Sequence, residues 1–325
     1  WIVASAGGVA FIALVAYHRA VRTRLEHAST RRVACHLGIA RVRRDWSELS
    51  EPYTSSLSRE QTILAGDLGV TGHMSLATLC NVVTPALGGA RLLQWLLADP
   101  PSVEAIAERS ASVAALRVQP HTLLGFIATP AIRGPRLVSG TTAFQGWAAV
   151  VPASGVLTRA RVFALVSFAL GATVIALIAM KEPEWALLTV VVQLALTGVA
   201  RTRIERDLKG LDDAFTQSAA IVRSLDAARA LRDVPGTVGA LSRQLLDDRA
   251  REAVRSLRTL LDWNNVRYSP LGLWMMNALG GMDAHLWHGT NRWRALHGQK
   301  VASWIASASE IEAHVAMATL GFDNP

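Results

Sequence analysis

Two uncharged apolar runs, separated by four residues, constrain this chain more than any other feature. Residues 162–180 (VFALVSFALGATVIALIAM) and 185–200 (WALLTVVVQLALTGVA) contain no Asp, Glu, Lys or Arg, and only Lys181, Glu182, Pro183 and Glu184 lie between them. A membrane-spanning helix needs about 17–25 mainly apolar residues, so the first run is long enough outright and the second is marginal. Two apolar helices joined by so short a link must run antiparallel, and residues 159–200 are predicted to form a transmembrane helical hairpin. Arg159 and Arg161 precede the hairpin and Arg201, Arg203 and Arg206 follow it, whereas the link carries one Lys against two Glu. Positive charge flanks the cytoplasmic side, so both ends are expected inside and the link outside.

A third uncharged run opens the chain. Residues 1–17 (WIVASAGGVAFIALVAY) are followed by Arg19, Arg22, Arg24, Arg31 and Arg32. That order reverses the charge pattern of a secretory signal, and the run reads as a truncated transmembrane anchor entering the cytoplasm at His18. The chain begins at Trp1 rather than Met, which suggests that the true N-terminus is missing or removed.

Composition narrows the class further. With 51% hydrophobic and 18% charged residues the chain is too apolar for intrinsic disorder. Two cysteines, Cys35 and Cys80, cannot build a disulfide framework and are expected to be reduced, inert thiols. A net charge of +8 suits anionic lipid or nucleic acid and chooses neither.

The remainder reads as helix. One helix is expected to continue from the anchor through residues 19–49. Residues 52–58 read as a loop and 67–72 (DLGVTG) as a glycine-punctuated turn. Leu92, Leu93, Leu96 and Leu97 lie at helical spacing within 85–98. Ser102 is a predicted N-cap, with Val103, Ile106, Ser110 and Val113 marking the face that follows. Residues 131–158, rich in Gly, Pro and Ser, are expected to be irregular. Ile204, Leu208, Leu211, Phe215, Val222 and Leu225 form a heptad-like seam that Pro235-Gly236 ends. A single helix is expected over 237–262, another carrying Leu271 through Leu296, and a last one with Val301, Trp304, Ala308, Ile311 and Val315 on its buried stripe. The expected fold is therefore all-α: transmembrane helices plus long antiparallel helices.

Catalytic signatures are missing. The chain has no phosphate loop, no H-E-x-x-H, no G-x-S-x-G and no G-x-G-x-x-G. Asp283-x-His285-x-x-His288 is the nearest thing to a metal cluster and reads better as polar surface or interface; Asp212-Asp213 and Asp247-Asp248 read as solvated surface. No catalytic residue, metal, cofactor or small-molecule substrate is assigned to this chain. Arg41, Arg43 and Arg44, beside Trp46, mix basic and aromatic side chains as a DNA- or lipid-contacting surface would.

One stretch is more specific. Residues 67–116 place Ser75-Leu76, Leu79, Thr84, Gly88, Arg91, Leu93, Trp95-Leu96, Pro100, Ile106, Arg109, Val113 and Leu116 in an order and spacing that resemble the start of the core (lever) domain of the MutS family of mismatch-repair ATPases. Near the end, Trp293-Arg294, His297-Gly298, Trp304, Glu310, Glu312-Ala313 and Phe322-Asp323-Asn324-Pro325 resemble the last lever helices leading into that family's ATPase domain. The layout is similar to a bacterial MutS-like subgroup with an N-terminal membrane hairpin and a second hairpin inserted in the core.

The resemblance implies a core region over about 60–130 within a cytoplasmic segment 18–158, and lever helices over 201–325. It also implies an ATPase domain beyond Pro325 that binds ATP and Mg, and a multi-pass protein of the bacterial inner (plasma) membrane with its soluble parts cytoplasmic. The partners it implies are a second copy of the chain and DNA, in addition to membrane lipid. On this reading the chain is a fragment that couples ATP hydrolysis elsewhere to DNA or partner binding. The competing reading is a non-enzymatic membrane-anchored helical scaffold.

Overall fold

The structure is a computed structural model that describes residues 2–49, 57–83, 85–98, 101–127, 138–208, 221–222, 224–265 and 270–324. Among the described residues regular structure is helical throughout, with no strand. In chain order the helices are α1 (Ile2–Arg43), α2 (Arg59–Asp67), α3 (Leu76–Leu79), α4 (Ala90–Leu97), α5 (Val103–Arg117), α6 (Pro120–Ile127), α7 (Val138–Ala149), α8 (Ser154–Ala179), α9 (Pro183–Leu208), α10 (Thr237–Asp247), α11 (Ala250–Asn265), α12 (Pro270–Gly280), α13 (Met282–His297) and α14 (Val301–Asp323). They fall into two compact units. The first comprises Trp1–Gly134, Arg223–Leu246 and Ala306–Pro325; the second comprises Pro135–Val222 and Asp247–Ile305.

In the first unit α1 runs for 42 residues, so the expected continuous helix is present and ends at Arg43. The side chain of Ser58 accepts a hydrogen bond from the Gln61 amide, and the Gln61 side chain accepts one from the Ser58 amide, so α2 starts on a reciprocal capping box. Gly69 (φ +62°) and Gly72 (φ +103°) supply the left-handed backbone of the predicted turn. Pro85–Gly89 is a π-helical turn that leads into α4, where Leu92 and Leu93 are buried. Ser102 caps α5 by accepting from the Ala105 amide.

The buried face of α5 differs from the predicted one. Ser112 and Leu116 are buried and Ala105 and Arg109 half-buried, whereas Val103 and Ile106 are exposed. The helix is turned one residue around its axis, roughly 100°. Two polar contacts select this face: the Arg109 guanidinium lies over the Trp95 ring, and Ser112 Oγ donates to the Pro235 carbonyl.

The second unit contains the predicted hairpin, α8 and α9. Ser154–Ala179 and Pro183–Thr202 are long and apolar enough to cross a membrane, with mean hydropathies of 2.5 and 1.5. They are not buried core helices, since only 22% and 17% of these windows are covered. Val162, Leu165, Phe168, Ile175, Leu187, Val191 and Val199 all stand exposed. The covered face is built from small groups, Ala160, Ala164, Ser167 and Gly171. A Cβ at Gly171 would strike the Leu279 carbonyl, so glycine is what lets α12 approach α8.

Three expectations are corrected here. Part of 131–158 is helical: α7 spans Val138–Ala149 and α8 begins at Ser154, while 131–137 lie outside the described residues. Phe144 and Ala148 of α7 are fully buried, and Phe144, Trp147 and Trp293 stack with ring centroids 5.9–6.3 Å apart, so packing overrides the local Gly and Ser content. The helix expected over 237–262 is divided between α10 and α11, with Arg249 at φ +50° between them. The helix expected to carry Leu271 through Leu296 is divided at Gly281 (φ +59°). A Cβ at Gly281 would meet Ser167 and Gln193, so that break is seated against the hairpin. Of the seam after the hairpin, Ile204, Leu208 and Leu225 are buried, while Leu211 and Phe215 lie outside the described residues.

Candidate functional site

Gly88 and Arg91 meet Glu312 and Glu310 in the first unit, where α4 and the turn before it lie against α14. Gly88, Arg91 and Trp95 recur at three- and four-residue intervals and so share one side. The Gly88 amide donates to Glu312 Oε2 at 3.3 Å. There is no room for a side chain at Gly88, because a Cβ would overlap the Cβ of Glu312 and press on Val83. Glu312 is fully buried, and its other carboxylate oxygen accepts from Ser224 Oγ at 3.3 Å. Arg91 Nε donates to Glu310 Oε2 at 2.5 Å, and Arg91 Nη1 donates to Gln94 Oε1 at 3.1 Å.

Trp95 completes the junction. Its ring meets His314 edge-on with centroids 4.8 Å apart, and the Arg109 guanidinium carbon stands 4.4 Å from its centroid. His314 is fully buried and donates from Nδ1 to the Glu310 carbonyl at 2.8 Å. Burial is the main cause that holds the His314 pKa below the ordinary imidazole value; the Glu310 carbonyl and carboxylate oppose it. Among the described residues His314 Nε2 and Trp95 Nε1 have no hydrogen-bond partner.

The other motif residues have local duties. Ser75 is buried and caps α3 by accepting from the Thr78 amide. Leu76 opens that helix, Leu96 is half-buried, and Thr84 lies outside the described residues. Trp304 belongs to the second unit, where its indole donates to Asp248 Oδ2 at 3.2 Å. Lys300 Nζ bonds the other oxygen of Asp248 at 2.6 Å and is the main reason its carboxyl sits below the usual range. Asp248 is therefore a structural acceptor rather than solvated surface; Asp212 and Asp213 lie outside the described residues.

Of the proposed contact residues Arg41, Arg43 and Arg44, the structure buries Arg41 and leaves the other two exposed. Arg41 is 6% exposed and its Nε donates to Asp323 Oδ2 at 2.8 Å, which takes it out of reach of DNA or lipid. Arg44 Nη2 donates to Asn324 Oδ1 at 2.6 Å. Arg43 is exposed. The cause is the end of α14, whose Asp323 pairs with Arg41 while the Asn324 after it accepts one hydrogen bond from the exposed Arg44.

The Asp283/His285/His288 trio makes no metal site. Among the described residues no group of three or more His, Cys, Asp or Glu could hold an ion. Asp283 is 4% exposed in the first turn of α13, so it is interface rather than surface. His285 meets Phe168 edge-on, and burial chiefly lowers the His288 pKa, helped by Arg292 and Arg161.

Sequence reasoning missed His314, Ser224, Ser112 and the Arg41–Asp323 pair. Glu310 and His314 stand four apart on one helix, a usable signal. Nothing local connects Arg41 to a residue 282 positions away.

Chemically the junction is a buried polar clamp. Its parts hold α4, α5 and α14 together. Comparisons with protein-family models, with curated proteins and with solved structures found no match to this chain.

Proposed function

We propose that this chain is the membrane-anchored lever region of a MutS-like ATPase, relaying nucleotide-driven motion from a domain outside this sequence to a DNA- or partner-binding end. One observation carries the reading. The two stretches that resemble the family lie more than 200 positions apart and engage each other residue by residue, at Gly88 with Glu312 and at Arg91 with Glu310. A relay needs stiff members with defined joints. The 23-residue α14 is such a member, and the clamp on α4 is such a joint. The outward apolar face of the α8–α9 hairpin supports anchorage in a bilayer, since a soluble chain rarely leaves so many large apolar side chains uncovered together.

The test is ATP hydrolysis by the intact gene product, reconstituted in lipid, with and without duplex DNA. Wild type is expected to hydrolyse ATP with a DNA-dependent rate, and E312Q or R91Q to lose that dependence while retaining basal turnover. No hydrolysis by the intact product would overturn the reading and leave the membrane scaffold in its place.

A further inference from the structure

At one end of the hairpin, Val156 and Arg159 of α8, Arg206 and Asp207 of α9, and Trp287 of α13 line a pocket of about 180 Å³. Arg159 and Arg206 are exposed, and neither forms an ion pair with a described carboxylate. The one acid in the lining, Asp207, accepts from the Trp287 indole through Oδ2 at 2.6 Å. Arg159 Nε donates to the Gly155 carbonyl at 2.9 Å, so its terminal amino groups and the Arg206 guanidinium are the cationic donors on the pocket's rim.

The position of these arginines along the hairpin bears on the class of ligand. Residues 162–180 rise about 28 Å as a helix, close to the hydrocarbon thickness of roughly 30 Å. Arg159 precedes the uncharged run 162–180 by three residues, about 4.5 Å, and Arg206 follows the run 185–200 by six, about 9 Å. The polar layer of one leaflet is roughly 5–7 Å deep. With the hairpin in a bilayer, both arginines border the headgroup layer of one leaflet and their long side chains can reach it, beside an indole of the kind that favours this boundary. Arginine pairs with phosphate through a planar fork of donors.

We propose that this pocket binds the phosphate of an anionic phospholipid headgroup, with Arg159 and Arg206 supplying the charge and Trp287 the apolar wall. This rests on the hairpin crossing a bilayer. A soluble phosphate ester presents the same chemistry, so the experiment separates the two sources.

The purified full chain in detergent is mixed with equal amounts of phosphatidylglycerol and phosphatidylcholine, and retained lipid is measured by native mass spectrometry. Wild type should prefer phosphatidylglycerol. Losing two interfacial arginines should weaken its binding about thirtyfold in R159Q/R206Q and about fivefold in each single variant. The single variants keep the test open if the double variant does not fold. R159K/R206K should retain most of the preference, and K181Q at the opposite end of the hairpin should change nothing.

Equal phosphatidylglycerol retention by wild type and both single variants overturns the proposal. If inorganic phosphate binds with the same arginine dependence while the two lipids are retained equally, the ligand is soluble and the lipid assignment falls. Alkaline carbonate extraction of membranes distinguishes the deeper failure. Protein released by carbonate refutes the anchorage itself, whereas protein that stays bound without lipid preference refutes only this site.

Discussion

Arg41, near the end of the 42-residue first helix, and Asp323, the last residue of the final helix, form an ion pair at 2.8 Å with both side chains more than nine-tenths buried. Buried charges of this kind are costly to take out of water and costlier to leave unpaired. Removing one partner by R41M or D323L is expected to lower stability by about 3–5 kcal/mol, and removing both together by much less than the sum. Thermal unfolding of the four proteins in detergent, read as a double-mutant cycle, checks this. Additive losses would mean that the pair contributes nothing as a pair.

Gly88 and Gly66 offer a matched contrast. At Gly88 an added methyl has to displace Glu312 and Val83, whereas at Gly66 in α2 it meets nothing within 4 Å. G88A should destabilise by about 1–3 kcal/mol through overpacking. G66A should stabilise by about 0.5–1 kcal/mol, because alanine loses less backbone entropy in a helix. Chemical denaturation of the two variants measures both signs.

His314 predicts a pH effect. Its folded pKa is held below the unfolded value of about 6.5, mainly by burial, so protons bind the unfolded chain more readily. Its contribution to stability is complete above the unfolded pKa and is lost as pH falls towards the folded one. His288 and His297 are shifted in the same direction, also chiefly by burial. The unfolding free energy should fall from pH 7.5 to pH 5.5, and H314Q should flatten that slope by at most ~1.4 kcal/mol per pH unit, measured by chemical denaturation at each pH. An unchanged slope in H314Q would mean that the imidazole is not held neutral.

The two native thiols make a topology assay simple. Cys80 is buried and its pKa is pushed up to about 12, so it should stay silent, while Cys35 is exposed. A membrane-impermeant maleimide applied to right-side-out cells should label K181C in the hairpin link and reach Cys35 only after permeabilisation. Labelling of both sites before permeabilisation would reverse the predicted orientation of one segment.

Much of this architecture was legible from neighbouring residues. The hairpin, the Ser102 cap, the glycine turn at 69–72 and the buried stripe Val301–Trp304–Ala308–Ile311–Val315 all depend on patterns a few residues long. The period of apolar side chains and the backbone demands of Ser, Gly and Pro act locally and are readable in one dimension. The face that α5 buries was not. Val103 and Ile106 look like its core side, yet Arg109 and Ser112 turn inward because Trp95 and the Pro235 carbonyl wait there.

The sequence by itself determined most of the helices, where a bilayer could take two of them, and that no familiar catalytic motif is present; α7 and the breaks at Arg249 and Gly281 came from the tertiary structure. Only the tertiary structure decided that Arg41 is spent on Asp323, that Glu312 is enclosed by Gly88 and Ser224, and that Arg159 and Arg206 are left facing outward. The physical reason is that helix formation is governed by contacts within a few residues. The partner of a charge is set by which distant segments close on one another, and burial then makes that choice hard to undo.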